Sequence, residues 1–115
     1  MRCKRGDVVL VLFPDTNLRT AKRRPAVVVQ ADNLNSGLPQ SIVAMVSSNM
    51  ARSGPPFRIN VVHASPEGKS TGLHCDSVIM ADNLATVLDM EIDRVIGQYP
   101  AMSAIDHALK SALGL

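Results

Sequence analysis

The chain is built from short runs of consecutive apolar residues separated by polar, Gly- and Pro-rich stretches. Val8 to Phe13 (VVLVLF) is the first run, rich in β-branched types and stopped by Pro14, which predicts a strand. Pro25 to Gln30 is the second, with Pro25 at its start because proline has no N–H to give a ladder. Ala26 to Val29 has no polar alternation, so both faces of this strand are expected to be buried. Ile42 to Val46 predicts a third strand. Phe57 to His63 alternates in part, with Phe57, Ile59 and Val61 against Arg58 and Asn60, and predicts a half-exposed antiparallel strand. Ser77 to Ala81 and Leu84 to Leu88 read as two strands parted by Asp82-Asn83; Val95 to Tyr99 adds a last one after a helical turn over 89–94. The intervening stretches 14–24, 31–40, 50–56 and 64–72 read as loops. Only the tail has helical periodicity: Met102, Ile105, Leu109 and Leu113 form one stripe, Ser103 and Asp106 are placed to act as a capping box, and Gly114 ends it. Short strands with long loops and one packing helix make an α+β fold, a small, partly open barrel.

The length of 115 residues sets a single domain, spanning 1–115. Three aromatic residues (Phe13, Phe57, Tyr99) are too few for a surface that stacks several bases on rings. Charge is segregated. Residues 1–24 hold seven Lys/Arg against Asp7 and Asp15, whereas residues 73–115 hold six acids against Arg94 and Lys110. A basic half points to a polyanion or an acidic partner. Cys3 and Cys75 do not have zinc or CxxC spacing. No apolar run reaches membrane-spanning length, and the expected location is the cytoplasm.

Candidate chemistry gathers at strand ends. Arg24 precedes the second strand, Ser47 and Ser48 close the third, and His74 and Asp76 precede the fifth; His63 and His107 read as structural. No nucleophile elbow, P-loop, dinucleotide fingerprint or HExxH motif is present. A cation, hydroxyls, an imidazole and a carboxylate suffice to cleave RNA without metal or other cofactor, because the substrate brings its own nucleophile, the 2′-OH. A carboxylate or an imidazole serves as base, a Ser hydroxyl donates to the phosphate, and an Arg fork holds its developing charge. Taken one at a time, Arg24 is equally a surface charge, the two serines are turn-formers and Asp76 is a turn aspartate.

The stretches RGDVVLVLFP, KRRPAVVVQ, IVAMVSSN and DSVIMADNLATVLD, with the ending RVIG…LGL, together resemble the MazF/PemK family of toxin endoribonucleases over nearly the whole chain. The resemblance implies an SH3-like barrel with a C-terminal helix, forming a homodimer. It implies metal-independent, sequence-specific cleavage of single-stranded RNA, and control by a cognate antitoxin whose acidic C-terminal segment lies over the RNA groove. Arg24 stands where MazF-type members carry Arg before the Pro of the second strand, and Ser47 where they carry Thr or Ser. PemK-like members have Arg-x-Asp where this chain has His74-Cys75-Asp76. The implied roles are Arg24 on the phosphate, Ser47 assisting, Asp76 as base and His74 as acid, with Arg19, Lys22, Arg23, Ser48 and Asn49 contacting RNA. Two departures stand out: Ala85 occupies a commonly basic position, and the loop between the first two strands lacks the His of some PemK-like members. Two other functions share this fold. A CcdB-like gyrase poison depends on an aromatic near the C-terminus, which this chain lacks after Tyr99. A catalytically weakened homologue binds RNA or antitoxin without cutting, and Ala85 keeps that open.

Overall fold

The computed structural model describes residues 3–14, 19 and 21–115. The chain runs β1 (Asp7–Pro14), β2 (Ala21–Val28), β3 (Gln40–Ser47), a 3-10 turn (Met50–Arg52), β4 (Arg58–Val61), α1 (Pro66–Ser70), β5 (Ser77–Leu88), a 3-10 turn (Asp89–Glu91), β6 (Ile92–Gln98) and α2 (Met102–Leu113). The six strands form one antiparallel sheet in the order β4-β5-β3-β2-β1-β6. Of the loop expected over 14–24 between the first two strands, residues 15–18 and 20 lie outside the described residues.

Both faces of the sheet are buried, which is why its strands read as unbroken apolar runs. Val8, Val27, Ala44 and Val46 point to one side, where Ile105 of α2, Tyr99 and Leu73 cover them. Val9, Val11, Ala26, Val28 and Val43 point to the other and meet Val87 and Ile92, from the end of β5 and the start of β6. The sheet therefore curls over to enclose its second core. The expected SH3-like barrel is present as a curled but open sheet: among the described residues β4 and β6 are unpaired edges.

Several expectations need correction. Pro25 does not start the second strand; β2 begins at Ala21, so the basic cluster is itself β-structure and Pro25 lies opposite Leu10 of β1. Its missing N–H is tolerated because β3 pairs with β2 only over Ala26–Val28. The two strands expected over 77–88 are one. β3 partners jump from Met80 to Leu84 between its adjacent residues Met45 and Ala44, so Ala81, Asp82 and Asn83 form a bulge. The helical turn expected over 89–94 stops at Glu91, after which β6 begins. The loop 64–72 holds the short α1, with Pro66 at its first turn and the Ser65 hydroxyl accepting from the Gly68 N–H. The capping box on the last helix is absent: Ala101 is the N-cap, and Asp106 instead pairs with Arg5. Leu113 is exposed rather than part of the packed stripe, while Gly114 does end the helix in the left-handed conformation, φ 72°.

Candidate functional site

The cleft begins where β2 and β3 part. Beyond the Ala26–Met45 pair the two strands have no shared ladder, and Pro25 offers no N–H to extend one. The space between them is a cleft of about 630 Å³, bounded also by the segment 72–75 and by β6. Among the described residues four arginines line it (Arg23, Arg24, Arg52 and Arg94) and no carboxylate does.

The arginines differ in their engagements. The Arg23 Nε donates to the Asp93 carboxylate at 3.0 Å, and Arg94 lies 4.0 Å from the same group. Arg24 has no hydrogen bond or ion pair within the described residues, so its fork is available to a ligand. Rigid β-structure holds its backbone opposite Val11.

Ser47 and Ser48 line the cleft at the end of β3. The Ser47 Oγ accepts the Asn49 N–H at 3.1 Å, which leaves the hydroxyl hydrogen to donate outward. Asn49 caps the following turn by accepting from the Ala51 N–H and does not line the cleft.

His74 and Cys75 face the cleft from the segment between α1 and β5. Two buried neighbours fix that segment. Leu73 enters the first core, and the Thr71 hydroxyl donates to the Gly68 carbonyl at 2.6 Å while accepting the Leu73 N–H. Asp76 is exposed and not among the lining residues; its carboxylate accepts the His63 N–H at 2.8 Å, tying the end of β4 to the start of β5. Arg19 and Lys22 are exposed and also outside the lining.

The structure thus brings together Arg23, Arg24, Ser47, Ser48 and His74 from the sequence-derived set. It adds Arg52, Arg94 and Asn83, which sequence reading missed. The polar Asp82-Asn83 pair inside an apolar run was the available signal: it marks a bulge rather than a gap between strands. Ala85 pairs with Val43 and packs against the second core, away from the lining, so its small size removes no wall of this cleft.

The bulge is clamped. Arg58 donates to both carboxylate oxygens of Asp82, at 3.2 and 2.9 Å, and through its remaining nitrogen to the Arg52 carbonyl at 2.9 Å. The hydrogen bond from Arg58 holds the Asp82 carboxyl below its ordinary value. Because the folded value is the lower one, the clamp is intact above the ordinary carboxylate range and is lost as pH falls through the depressed value. Arg58→Gln is expected to move the Asp82 titration back up towards its ordinary value, read by carboxylate carbon NMR; an unmoved midpoint contradicts the clamp.

The chain is thus a curled antiparallel sheet with a C-terminal helix and an arginine-lined cleft at one end. Residues 4–113 match the family described as PemK-like, MazF-like toxin of type II toxin-antitoxin system, and the chain belongs to that family. It is 31% identical over 107 residues to the endoribonuclease MazF6 of Mycobacterium tuberculosis, covering 90% of each chain. To the endoribonuclease EndoA of Bacillus subtilis it is 29% identical over 118 residues, covering 100% of this chain and 97% of that one. Two solved structures have the same fold. An endoribonuclease in complex with its cognate antitoxin from a mycobacterial species superposes with a TM-score of 0.75 at 22% identity, covering 99% of this chain and 97% of that one. The MazE–MazF assembly of Deinococcus radiodurans gives 0.74 at 21% identity, covering 98% and 97%. These matches do not favour a gyrase poison.

Proposed function

We propose that this toxin is an endoribonuclease that cuts single-stranded RNA at a defined short sequence, and that the cleft between β2 and β3 is where it cuts. The observation that carries the reading is the lining itself: among the described residues, four arginines with no carboxylate, beside two serines and a histidine. A cleft of one sign concentrates a polyanion. Its unengaged Arg24 meets the scissile phosphate with two parallel donors.

The chemistry follows from those groups. The 2′-OH attacks the adjacent phosphorus and the bond to the 5′-oxygen breaks, leaving a 2′,3′-cyclic phosphate on one fragment and a 5′-OH on the other. Arg24 stabilises the charge gathering on the non-bridging oxygens, and the Ser47 hydroxyl donates to one of them. His74, which lines the cleft, takes the 2′-OH proton as the attack begins and delivers it to the departing 5′-oxygen. Asp76 assists by holding the segment that carries His74 through the His63 N–H. Arg23 and Ser48 contact neighbouring phosphates, with Lys22, Arg19 and Asn49 further along the strand's path.

The proposal places the toxin in the cytoplasm, with its substrate, as a homodimer silenced by an acidic antitoxin segment. In support, no helix among the described residues is long and apolar enough to cross a membrane. Met90 and Leu115 are more than four-fifths exposed, apolar surface suited to a partner. The acidic segment would compete with RNA for the same arginines.

The test is incubation of the purified toxin with a long single-stranded RNA in excess EDTA. Cuts at a recurring sequence with cyclic-phosphate ends are expected, and a 2′-O-methyl group at the scissile nucleotide is expected to block them. Intact RNA, or cutting of the methylated strand, contradicts the mechanism.

A further inference from the structure

We propose that Arg52 holds a phosphate of the bound RNA on the β5 side of the cleft, and that Arg58, paired with Asp82, is the residue that positions it. The inference rests on the cleft being an RNA site and concerns which groups of its wall hold the strand.

Arg52 and Arg58 differ in what they are free to do. All three nitrogens of the Arg58 guanidinium are engaged inside the protein. Two meet the Asp82 carboxylate oxygens at 3.2 and 2.9 Å, and the third donates to the Arg52 carbonyl at 2.9 Å. The group also lies over the Phe57 ring, 5.6 Å from its centroid. Arg58 does not line the cleft.

Arg52 is the converse. It lines the cleft, and its guanidinium has no carboxylate partner among the described residues. Its Nη1 lies 4.0 Å from the Met80 sulfur, a neutral and weak acceptor. A guanidinium whose charge is left unbalanced, in a lining that holds Arg23, Arg24 and Arg94 as well, suits an anion. In an RNA strand that anion is a phosphate.

The backbone explains why Arg58 matters to it. Arg52 ends a 3-10 turn that closes on itself. The Asn49 carbonyl accepts the Arg52 N–H at 3.1 Å, and the Met50 carbonyl accepts the N–H and the hydroxyl of Ser53 at 3.1 and 2.7 Å. None of these bonds reaches the sheet. The Arg52 carbonyl does, through Arg58, which stands opposite Met80 in the β4–β5 ladder. Asp82 holds the other two arms of the fork, so the third is aimed at that carbonyl. The clamp sets the backbone from which Arg52 reaches the cleft, and the side chain itself stays free to close on a phosphate.

The experiment measures binding of a fluorescein-labelled, fully 2′-O-methylated single-stranded RNA to the intact toxin across a range of salt. Cutting of the unmodified strand in EDTA and thermal unfolding of each variant are followed in parallel. Arg52→Ala is expected to weaken binding about fivefold to tenfold and to make its log–log salt dependence shallower by about 0.7, one phosphate contact on a single strand. Asp82→Ala removes a negative charge, which by charge alone tightens the hold on a polyanion. It is expected instead to weaken binding about threefold, with a shallower salt dependence, because Arg58 loses its aim. Arg58→Lys keeps the charge but replaces the fork with a point charge, and is expected to behave in the same way. Added to Arg52→Ala, Asp82→Ala is expected to cost nothing further, whereas a clamp that acts independently of Arg52 adds its effect in full. Unchanged binding by Arg52→Ala overturns the phosphate contact. Tighter or unchanged binding by folded Asp82→Ala and Arg58→Lys, or additive losses in the double variant, overturns the positioning. If wild type binds without cutting and the variants behave as stated, this assignment stands and the nuclease reading falls. If wild type cuts and no variant weakens binding, the nuclease reading stands and this assignment falls. A wild-type toxin that neither binds nor cuts RNA overturns both.

Discussion

Arg24→Ala is expected to lower the cleavage rate by roughly a hundred- to a thousandfold, the loss typical of removing a donor aimed at developing negative charge. Stability should change by no more than about 0.5 kcal/mol, because the side chain is exposed and has no internal partner among the described residues. Arg24→Lys keeps the charge but replaces a planar fork with a point charge, so partial activity is expected. Arg23→Ala is the informative neighbour. Its guanidinium is engaged by Asp93 at 3.0 Å, so its removal should weaken RNA binding and lessen its salt dependence, with the rate at saturating RNA nearly unchanged. Single-turnover cutting of an oligonucleotide, alongside thermal unfolding of each variant, separates these effects. A folded Arg24→Ala toxin that cuts within a few-fold of wild type would remove Arg24 from the chemistry.

The contrast between those two arginines was not legible in the sequence, where Lys22, Arg23 and Arg24 are simply consecutive charges. Periodicity gave the strands and the last helix, because burial on both sheet faces leaves unbroken apolar runs and α2 presents one stripe to the core. It failed where backbone pairing decides. Nothing in Arg24-Pro25 says that β3 withdraws from β2 at that point, although the missing N–H of Pro25 is the physical reason the parting is tolerated. Nor does Asp82-Asn83 announce a bulge rather than a turn: both are polar interruptions, and only the jump in β3 partners tells them apart. Arg58 looked like the solvent-facing residue of an alternating strand. Its grip on Asp82 spans a sequence separation of 24 residues, beyond any local pattern. The cleft is a product of such long-range events: Arg24 could be named from its place at a strand end, whereas Arg52 and Arg94, which join it in the lining, carried no local signal.

One such long-range contact supports a second large effect, at Gly72. This glycine bounds the cleft two residues before His74 and has φ +74°, a left-handed conformation. A methyl group there would sit 2.1 Å from the Ile96 carbonyl oxygen of β6, a backbone atom that cannot turn aside. From the other side, a methyl on Gly97 would meet the Ser70 carbonyl oxygen at 2.4 Å. The two backbones touch because neither glycine has a side chain. Gly72→Ala is therefore expected to cost about 3 kcal/mol or more, combining backbone strain with overpacking. Gly37→Ala is the control. It has nearly the same φ, +75°, with nothing within 4 Å of the added methyl, and should cost only about 1 kcal/mol. The difference between the two, measured by urea unfolding, isolates the contact with β6. Because the 71–76 segment must retreat from β6 to relieve the clash, His74 moves with it, and Gly72→Ala toxin that remains folded is expected to cut far more slowly while Gly37→Ala cuts normally. Equal costs at the two positions would mean that β6 yields to the methyl, and undiminished cutting by folded Gly72→Ala would show that the placement of His74 by this segment is immaterial to the reaction.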